Sequence, residues 1–225
     1  MGSFPQSIVH YLPVTDHDER WGIVCTTAGY QNVPPGSPYP LTQHSDSYSF
    51  TRSRGRVLGE YQLLYIVSGQ GEFRSASSPA APVKAGTVVM LFPDEWHTYA
   101  PDPETGWEEW WVGFRGENID RRVAEGFFSP KTPLLHIGHS AGIVSCYQEI
   151  IRSAEEERKG FQQLVTGIVL HLLGSVLFKR DNLQYLDNPI VEKINRAREM
   201  MRRHIGDNLP PEEIARRLNI GYTWF

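Results

Sequence analysis

Cysteine is scarce, with only Cys25 and Cys146 in 225 residues. They stand far apart and form no CxxC pair, which excludes a disulfide-stapled scaffold or a thiolate zinc site and leaves a reduced, cytosolic chain as the expectation. There is no large excess of either charge. The 22 basic and 26 acidic side chains leave a net charge of −4, too weak and of the wrong sign to draw the whole chain to phosphate. Any contact with DNA must come from a local basic element. No uninterrupted apolar run approaches the ~20 residues of a membrane span, and the start has no basic segment leading into an apolar one. Met1-Gly2 resembles a myristoylation start, but Gln6 stands where Ser or Thr is needed. A cytoplasmic protein with no membrane partner is expected.

What is present changes character once, near residue 115. Before it come short β-rich runs cut by Gly, Pro and Ser: Ile23 to Tyr30, Ser47 to Ser53, Tyr61 to Val67, Gly71 to Ser75, Thr87 to Phe92, His97 to Ala100 and Trp107 to Phe114. Such a series suggests a closed or sandwiched antiparallel sheet. Ser68-Gly69-Gln70-Gly71 reads as a tight hairpin turn, and Ser75 through Pro82 as a loop. Residues 1 to 20 form a polar arm without strong periodicity, with Phe4, Tyr11 and Leu12 as apolar plugs.

After residue 115 the period is helical. Ile143, Cys146, Tyr147, Ile150 and Ile151 recur at three and four, and Gly160 ends that helix. A second helix, from about Phe161 to Lys179, is apolar nearly all round and must be covered on more than one side. One side can lie on the barrel. The other is expected to meet a second copy of the chain through Leu164, Ile168, His171, Leu172 and Phe178, giving a homodimer.

Asn188 and Pro189 then open a basic helix with Ile190, Ile194, Ala197, Met200 and Met201 as its apolar stripe. Arg196, Arg198, Arg202 and Arg203 lie around the rest, and Gly206 closes it. Residues 209–225 read as the first part of a helix-turn-helix. Pro211, Glu212 and Glu213 suit a first turn, Ala215 allows close approach, and Leu218 and Ile220 bury around a turn at Asn219. Tyr222, Thr223 and Trp224 would open the recognition helix that touches DNA.

The Trp107-Glu108-Glu109-Trp110-Trp111 run is the most unusual local feature. On a strand, Glu109 and Trp111 share one face and Glu108, Trp110 and Val112 the other. The two carboxylates therefore diverge and cannot flank one bond as a glycosidase pair does. Either face could be the inner one.

Residues 188 to 225 resemble the opening of the AraC-family DNA-binding domain, with its basic helix, short turn and Ile-Ala-x-x-Leu. The stretches Arg54 to Tyr61, Ser68 to Gly71, Ala85 to Pro93, His97 to Tyr99 and Trp107 to Phe114 resemble that family's cupin-like effector domain, in particular its arabinose sensors. The resemblance implies an α+β chain: an antiparallel cupin-like (jelly-roll) β-barrel, a helical dimerisation unit and a partial helix-turn-helix. The implied boundaries are 1–20 for the arm, 21–116 for the barrel, 117–184 for the dimerisation unit and 185–225 for a truncated DNA-binding start.

The resemblance also implies a small effector, a neutral sugar by class, that shifts the arrangement of a dimer. It places Glu109 and Trp111 inward, with Arg54 and Tyr99 at further pocket positions, Gln31 aligned loosely and His97 beside them. DNA is a partner of the full-length protein only. Metal-binding cupins need a His-x-His pair with a Glu and a further His, and only His97 matches. No metal, cofactor or catalytic residue is therefore expected. The alternative is a cupin-type sugar isomerase or epimerase with His97 and Glu109 as acid and base.

Overall fold

The computed structural model describes residues 7–39, 51, 53–186, 193, 197, 200, 201 and 210–221, with the backbone alone for 184–186. The chain divides into two units, 1–180 and 181–225. The first is an antiparallel sheet of eight strands carrying helices on one face, an α+β arrangement. Six strands follow the order β1 (Ser7–Tyr11), β2 (Val24–Val33), β7 (Trp107–Arg115), β3 (Tyr61–Ser75), β5 (Thr87–Leu91) and β8 (Leu134–His136). β4 (Ala81–Lys84) and β6 (His97–Pro101) pair with the distal half of β3. Its described helices are α1 (Asp16–Glu19), α2 (Glu117–Ala124), α3 (Ala141–Glu156) and α4 (Phe161–Leu186) as far as residue 180.

β3 organises the sheet. Its first half pairs with β5 and β7, and its second half with β4 and β6, so one strand serves two layers. The Ser68–Gly71 segment that reads as a hairpin turn is instead interior to this strand. Gly69 takes φ +80, and the register with β7 slips between Ile66 and Ser68. Glycine here bends a continuous strand. It also allows contact, since a Cβ at Gly69 would run into the Gly106 carbonyl.

Alternation along the strands sorts the core into two clusters. Tyr61, Leu63 and Tyr65 of β3, Val88 and Met90 of β5, and Trp110, Val112 and Phe114 of β7 face α3 and α4, where they meet Ile143, Tyr147, Ile150, Val165, Val169, Leu172 and Val176. Leu64, Ile66, Val89, Leu91, Trp107 and Trp111 face the opposite way, into a second cluster with Phe73, Val83 and Tyr99. Hydrogen bonds fix the first interface. Tyr147 Oη donates to the Leu63 carbonyl at 3.0 Å, and Tyr65 Oη donates to the Gly138 carbonyl at 2.9 Å.

Other expectations need correction. Part of the N-terminal arm is strand β1, paired with β2 from Ser7↔Gln31 to Tyr11↔Thr27. Of the expected strand Ser47 to Ser53, the described residues Thr51 and Ser53 are not in a strand, and the rest lie outside the described residues. β8 is a strand within the region expected to be helical; three residues are too few to set a period.

α4 reaches Leu186 rather than Lys179, and its Phe161–Leu183 stretch has the length and mean hydropathy (1.6) of a membrane span, contrary to the sequence reading. Part of its apolar character serves the core: Val165, Val169, Leu172, Leu173 and Val176 are buried in the cluster shared with the sheet. Leu172 therefore has no surface to offer a partner. Leu164 and Phe178 are 52% and 62% exposed, His171 is exposed and Ile168 half-buried.

The second unit, taken by itself, holds α5 (Pro211–Arg217) with Pro211 in its first turn beside Glu212 and Glu213. Leu218 and a left-handed Asn219 (φ 51) follow. Ala197, Ile214 and Leu218 are buried together, with Met200 and Ile220 against them, while Met201 is 42% exposed and off the stripe. Phe4, Ile190, Ile194, Arg196, Arg198, Arg202, Arg203 and Tyr222 to Phe225 lie outside the described residues.

Gln162, 2% exposed at the start of α4, joins helix to sheet. Its Oε1 accepts from Cys25 N at 3.0 Å, and its Nε2 donates to the carbonyls of Cys25 at 2.9 Å and Pro13 at 3.0 Å. The clamp sits where β2 slips register against β7, between Cys25 and Thr27. Gln162→Ala strands the buried amide and carbonyl of Cys25 and is expected to cost about 2–4 kcal/mol in urea unfolding at unchanged m-value. A loss below about 0.5 kcal/mol, the range of a neutral surface change, would show that the clamp does not hold the helix.

Candidate functional site

A polar cavity lies on the inner face of the sheet, lined by Val9, Tyr11, Thr27, Gln31, Tyr39, Arg56, Gln62, Tyr99, Glu109 and Trp111. Register explains how these side chains meet. Gln31 of β2 sits opposite Glu109 of β7, and Gly29 sits opposite Trp111. The glycine is required: a Cβ at Gly29 would run into the Trp111 indole, which is thereby laid flat over β2. Deeper in, Thr27 Oγ1 and Gln62 Nε2 both donate to buried Glu60 Oε1, at 3.3 and 2.8 Å.

Of the residues expected from sequence, the structure brings Gln31, Tyr99, Glu109 and Trp111 to this cavity. Arg54 is not among them. It is exposed on a turn, where its carbonyl accepts from Trp96 Nε1 at 3.0 Å. The arginine two residues on takes the place. Arg56 makes an antiparallel bridge with His97, N to O at 2.9 and 3.0 Å, and that bridge turns its side chain inward. Its Nη2 donates to Tyr99 Oη at 2.7 Å, and its Nε donates to His97 Nε2 at 3.3 Å. The guanidinium also lies 5.6 Å from the Tyr99 ring centre.

His97 stands behind the cavity wall. Nδ1 lies 3.0 Å from the Glu95 carbonyl and Nε2 faces Arg56, so the tautomer that satisfies both carries its proton on Nδ1. Burial, reinforced by the Arg56 cation, lowers its pKa to about 4. The ring is neutral at physiological pH.

Tyr39 escaped sequence reading because it lies in a Pro-rich loop with no period. Its hydroxyl donates to Glu109 Oε1 at 3.1 Å, and its ring stands edge-on to Trp107 with centres 5.7 Å apart. With Tyr39 so placed, the cavity holds about 20 Å³ of free space, enough for about one water molecule. Burial holds the Tyr39 hydroxyl well above its ordinary pKa, so it is a donor throughout the physiological range.

Glu109 is the most perturbed acid of the site. It is 2% exposed, and burial lifts its pKa from 4.5 to about 7 against the opposing effects of the Tyr39 hydrogen bond, the Arg56 cation and Trp107. Among the described residues its Oε2 has no hydrogen-bond partner and is buried, as is the indole Nε1 of Trp107. The cavity thus offers an aromatic face, a cation, a carboxyl and two amides, a set suited to gripping a small polar molecule by its hydroxyls and stacking on its C–H face.

The fold is an antiparallel α+β one with a polar cavity on the inner face of its sheet. The chain belongs to the AraC-like ligand binding domain family, whose pattern matches residues 35–173, more than half its length. Within that range lie Tyr39, Arg56, Tyr99, Glu109 and Trp111. The raffinose operon transcriptional regulatory protein RafR of Pediococcus pentosaceus is 29% identical over 94 residues, which is 40% of this chain and 34% of that protein. The chain therefore matches only about a third of this relative's length. Among solved structures, the AraC-like transcriptional activator CuxR aligns over 97% of this chain and 78% of its own at 14% identity, with a TM-score of 0.36. Apo ToxT from Vibrio cholerae aligns over 97% and 72% at 12% identity and the same score, 0.36. A cupin-family protein of Methanocaldococcus jannaschii aligns over 53% and 93% at 13% identity, with a TM-score of 0.34.

Because the folded pKa of Glu109 lies above its ordinary value, the folded chain keeps a proton that the unfolded chain has released between pH 4.5 and about 7. Stability then falls as pH rises through that window and levels above it, a change of on the order of 3 kcal/mol. Glu109→Gln lacks this component. Urea unfolding at pH 5 and pH 8 should show wild type losing more stability than the variant. Parallel losses in the two proteins would rule out a buried, raised carboxyl.

Proposed function

We propose that this chain is the sensing part of a ligand-responsive transcription regulator, and that its barrel binds a small neutral sugar. The observation that carries the reading is the convergence of Arg56, Tyr99, Glu109 and Trp111 on one cavity, inside a domain of the AraC-like ligand binding family. The printed name of the Pediococcus relative, a raffinose operon regulator, supports a carbohydrate effector. In this reading Trp111 stacks on the sugar ring, Arg56 and Tyr99 hold its hydroxyls, and Gln31 and Glu109 complete the grip.

Signal transfer uses differential affinity between two states. β1 lines the cavity through Val9 and Tyr11, and the chain after it is tied to α4 by the Gln162 bond to Pro13. A ligand that resets β1 therefore acts on the helix leading toward residues 181–225. Those residues serve in a helix-turn-helix, with Tyr222, Thr223 and Trp224 as its DNA contacts. The exposed side of α4, with Leu164, Ile168, His171 and Phe178, is the surface offered to a second copy. Leu164, Ile168 and His171 border an apolar groove with Ser145, Cys146 and Glu149 of α3.

The enzyme alternative gains no support from the geometry, since both ring nitrogens of His97 are already engaged.

Two measurements test this. In a thermal-shift screen with raffinose, melibiose, galactose and arabinose, one sugar is expected to raise Tm with a mass-action dependence on concentration. Arg56→Ala should weaken its binding tenfold or more, by about 1.4 kcal/mol or greater, while Arg54→Ala leaves it unchanged. The reverse ranking would move the site away from the cavity. Absence of any shift would remove the sugar reading. Separately, Leu164→Glu with Ile168→Glu should convert a dimer to a monomer in sedimentation equilibrium. A wild-type chain that is monomeric at all concentrations would contradict the α4 interface.

A further inference from the structure

Among the described residues, Glu109 Oε2, which lines the cavity and can only accept when ionised, and Trp107 Nε1, two residues back on the same face of β7 and able only to donate, are buried without a hydrogen-bond partner. Both residues are 2% exposed. The Trp107 indole lies close enough to favour the ionised form of Glu109, but not in a geometry that satisfies either atom. Leaving a buried donor and a buried acceptor unmatched costs about 1–3 kcal/mol each. The group that satisfies both at once must accept from the indole and donate to the carboxylate. A hydroxyl does this. An ammonium cannot accept, and a ligand carboxylate cannot donate.

We propose that Glu109 and Trp107 are the specificity-determining pair of the cavity, that they take one hydroxyl of a neutral sugar between them, and that this contact makes effector binding proton-linked. The inference rests on the sugar reading above and adds which hydroxyl-bearing ligands are accepted and under which conditions. Glu109 Oε1 already takes a hydroxyl, that of Tyr39, so the carboxyl is accustomed to this kind of donor. The space left beside Tyr39, about 20 Å³, is too small for a sugar ring, so a second sugar hydroxyl replaces the phenol on Oε1 when the ligand enters.

The proton link follows from the groups around the carboxyl. Arg56, Tyr39, Tyr99 and, behind them, His97 face it, and Glu60 lies beyond Thr27 and Gln62. Tyr39 and Tyr99 are held protonated, Tyr99 up to about 12, and His97 is held neutral, down to about 4. Glu109 titrates near 7 in the free chain. A ligand hydroxyl that donates to Oε2 favours the ionised form, so binding below about pH 7 releases a proton, and affinity falls as pH is lowered.

The test is isothermal titration calorimetry on the full chain with raffinose, melibiose, galactose and galacturonate, at pH 6 and pH 8. Wild type, Glu109→Gln, Trp107→Phe and Tyr39→Ala are compared. For the neutral sugar that binds, affinity in wild type is expected to be about tenfold lower at pH 6 than at pH 8, as ionisation of a group near pH 7 requires. Glu109→Gln should bind it more weakly at pH 8 and equally at both pH values. Trp107→Phe should bind it more weakly but keep the pH dependence, and Tyr39→Ala should bind it more tightly. Galacturonate should bind no more tightly than galactose.

Equal affinity at the two pH values in wild type, or a Glu109→Gln variant with unchanged affinity and profile, would overturn the inference while leaving the sugar sensor intact. Preference for galacturonate would overturn it too. No binding of any neutral sugar by either wild type or Tyr39→Ala would overturn both readings together.

Discussion

β7 has almost no face turned to water. Trp110, Val112 and Phe114 are buried under the helices, Glu109 and Trp111 are buried toward the cavity, and neighbouring strands cover both edges. Most of what distinguishes this molecule follows from that double burial. A strand covered on both sides must match its polar groups inside the protein, and the burial that packs the helices on one face lifts the Glu109 carboxyl on the other. The same strand thus anchors α3 and α4 to the barrel and supplies the site. Its small residues are fitted to this duty: Gly113 leaves room for the Thr27–Glu60 bond beneath, where a Cβ would collide with both.

Double burial also explains what could be read from sequence. Strands β2, β5, β6 and β7 and helices α3 and α4 were legible because their apolar content and turn punctuation are strong. The inward direction of Glu109 and Trp111 was not legible from pattern, because both faces of β7 are rich in large aromatic residues and alternation gives no polar side to discard. Only the family resemblance favoured one face. The hairpin expected at Ser68–Gly71 failed for a related reason. Glycines in a turn and glycines in a bent strand look alike until the partners are known, and here β4 and β6 extend the pairing past the bend.

The loop residues of the site were hardest to read. Arg54 and Arg56 lie two apart in a segment with no period, and only the backbone bridge to His97 selects the second. Tyr39 had no signal beyond its neighbouring prolines and glycine. Val9 and Tyr11 enter through β1, a short edge strand recognisable only once β2 is there to pair with it. Cavities are assembled from such segments because a regular strand offers one residue in two to the interior, and the remaining contacts must come from loops and edges.

The central claim is that the polar cavity on the inner face of the sheet is an effector site for a neutral sugar. Its most direct test is a crystal structure of the chain grown at saturating raffinose, melibiose or galactose. The account predicts a sugar ring flat on Trp111, between Arg56 and the Glu109–Trp107 pair, with the Tyr39 hydroxyl withdrawn from Glu109. A cavity unchanged, with Tyr39 still bonded to Glu109 and sugar density elsewhere or nowhere, would contradict it.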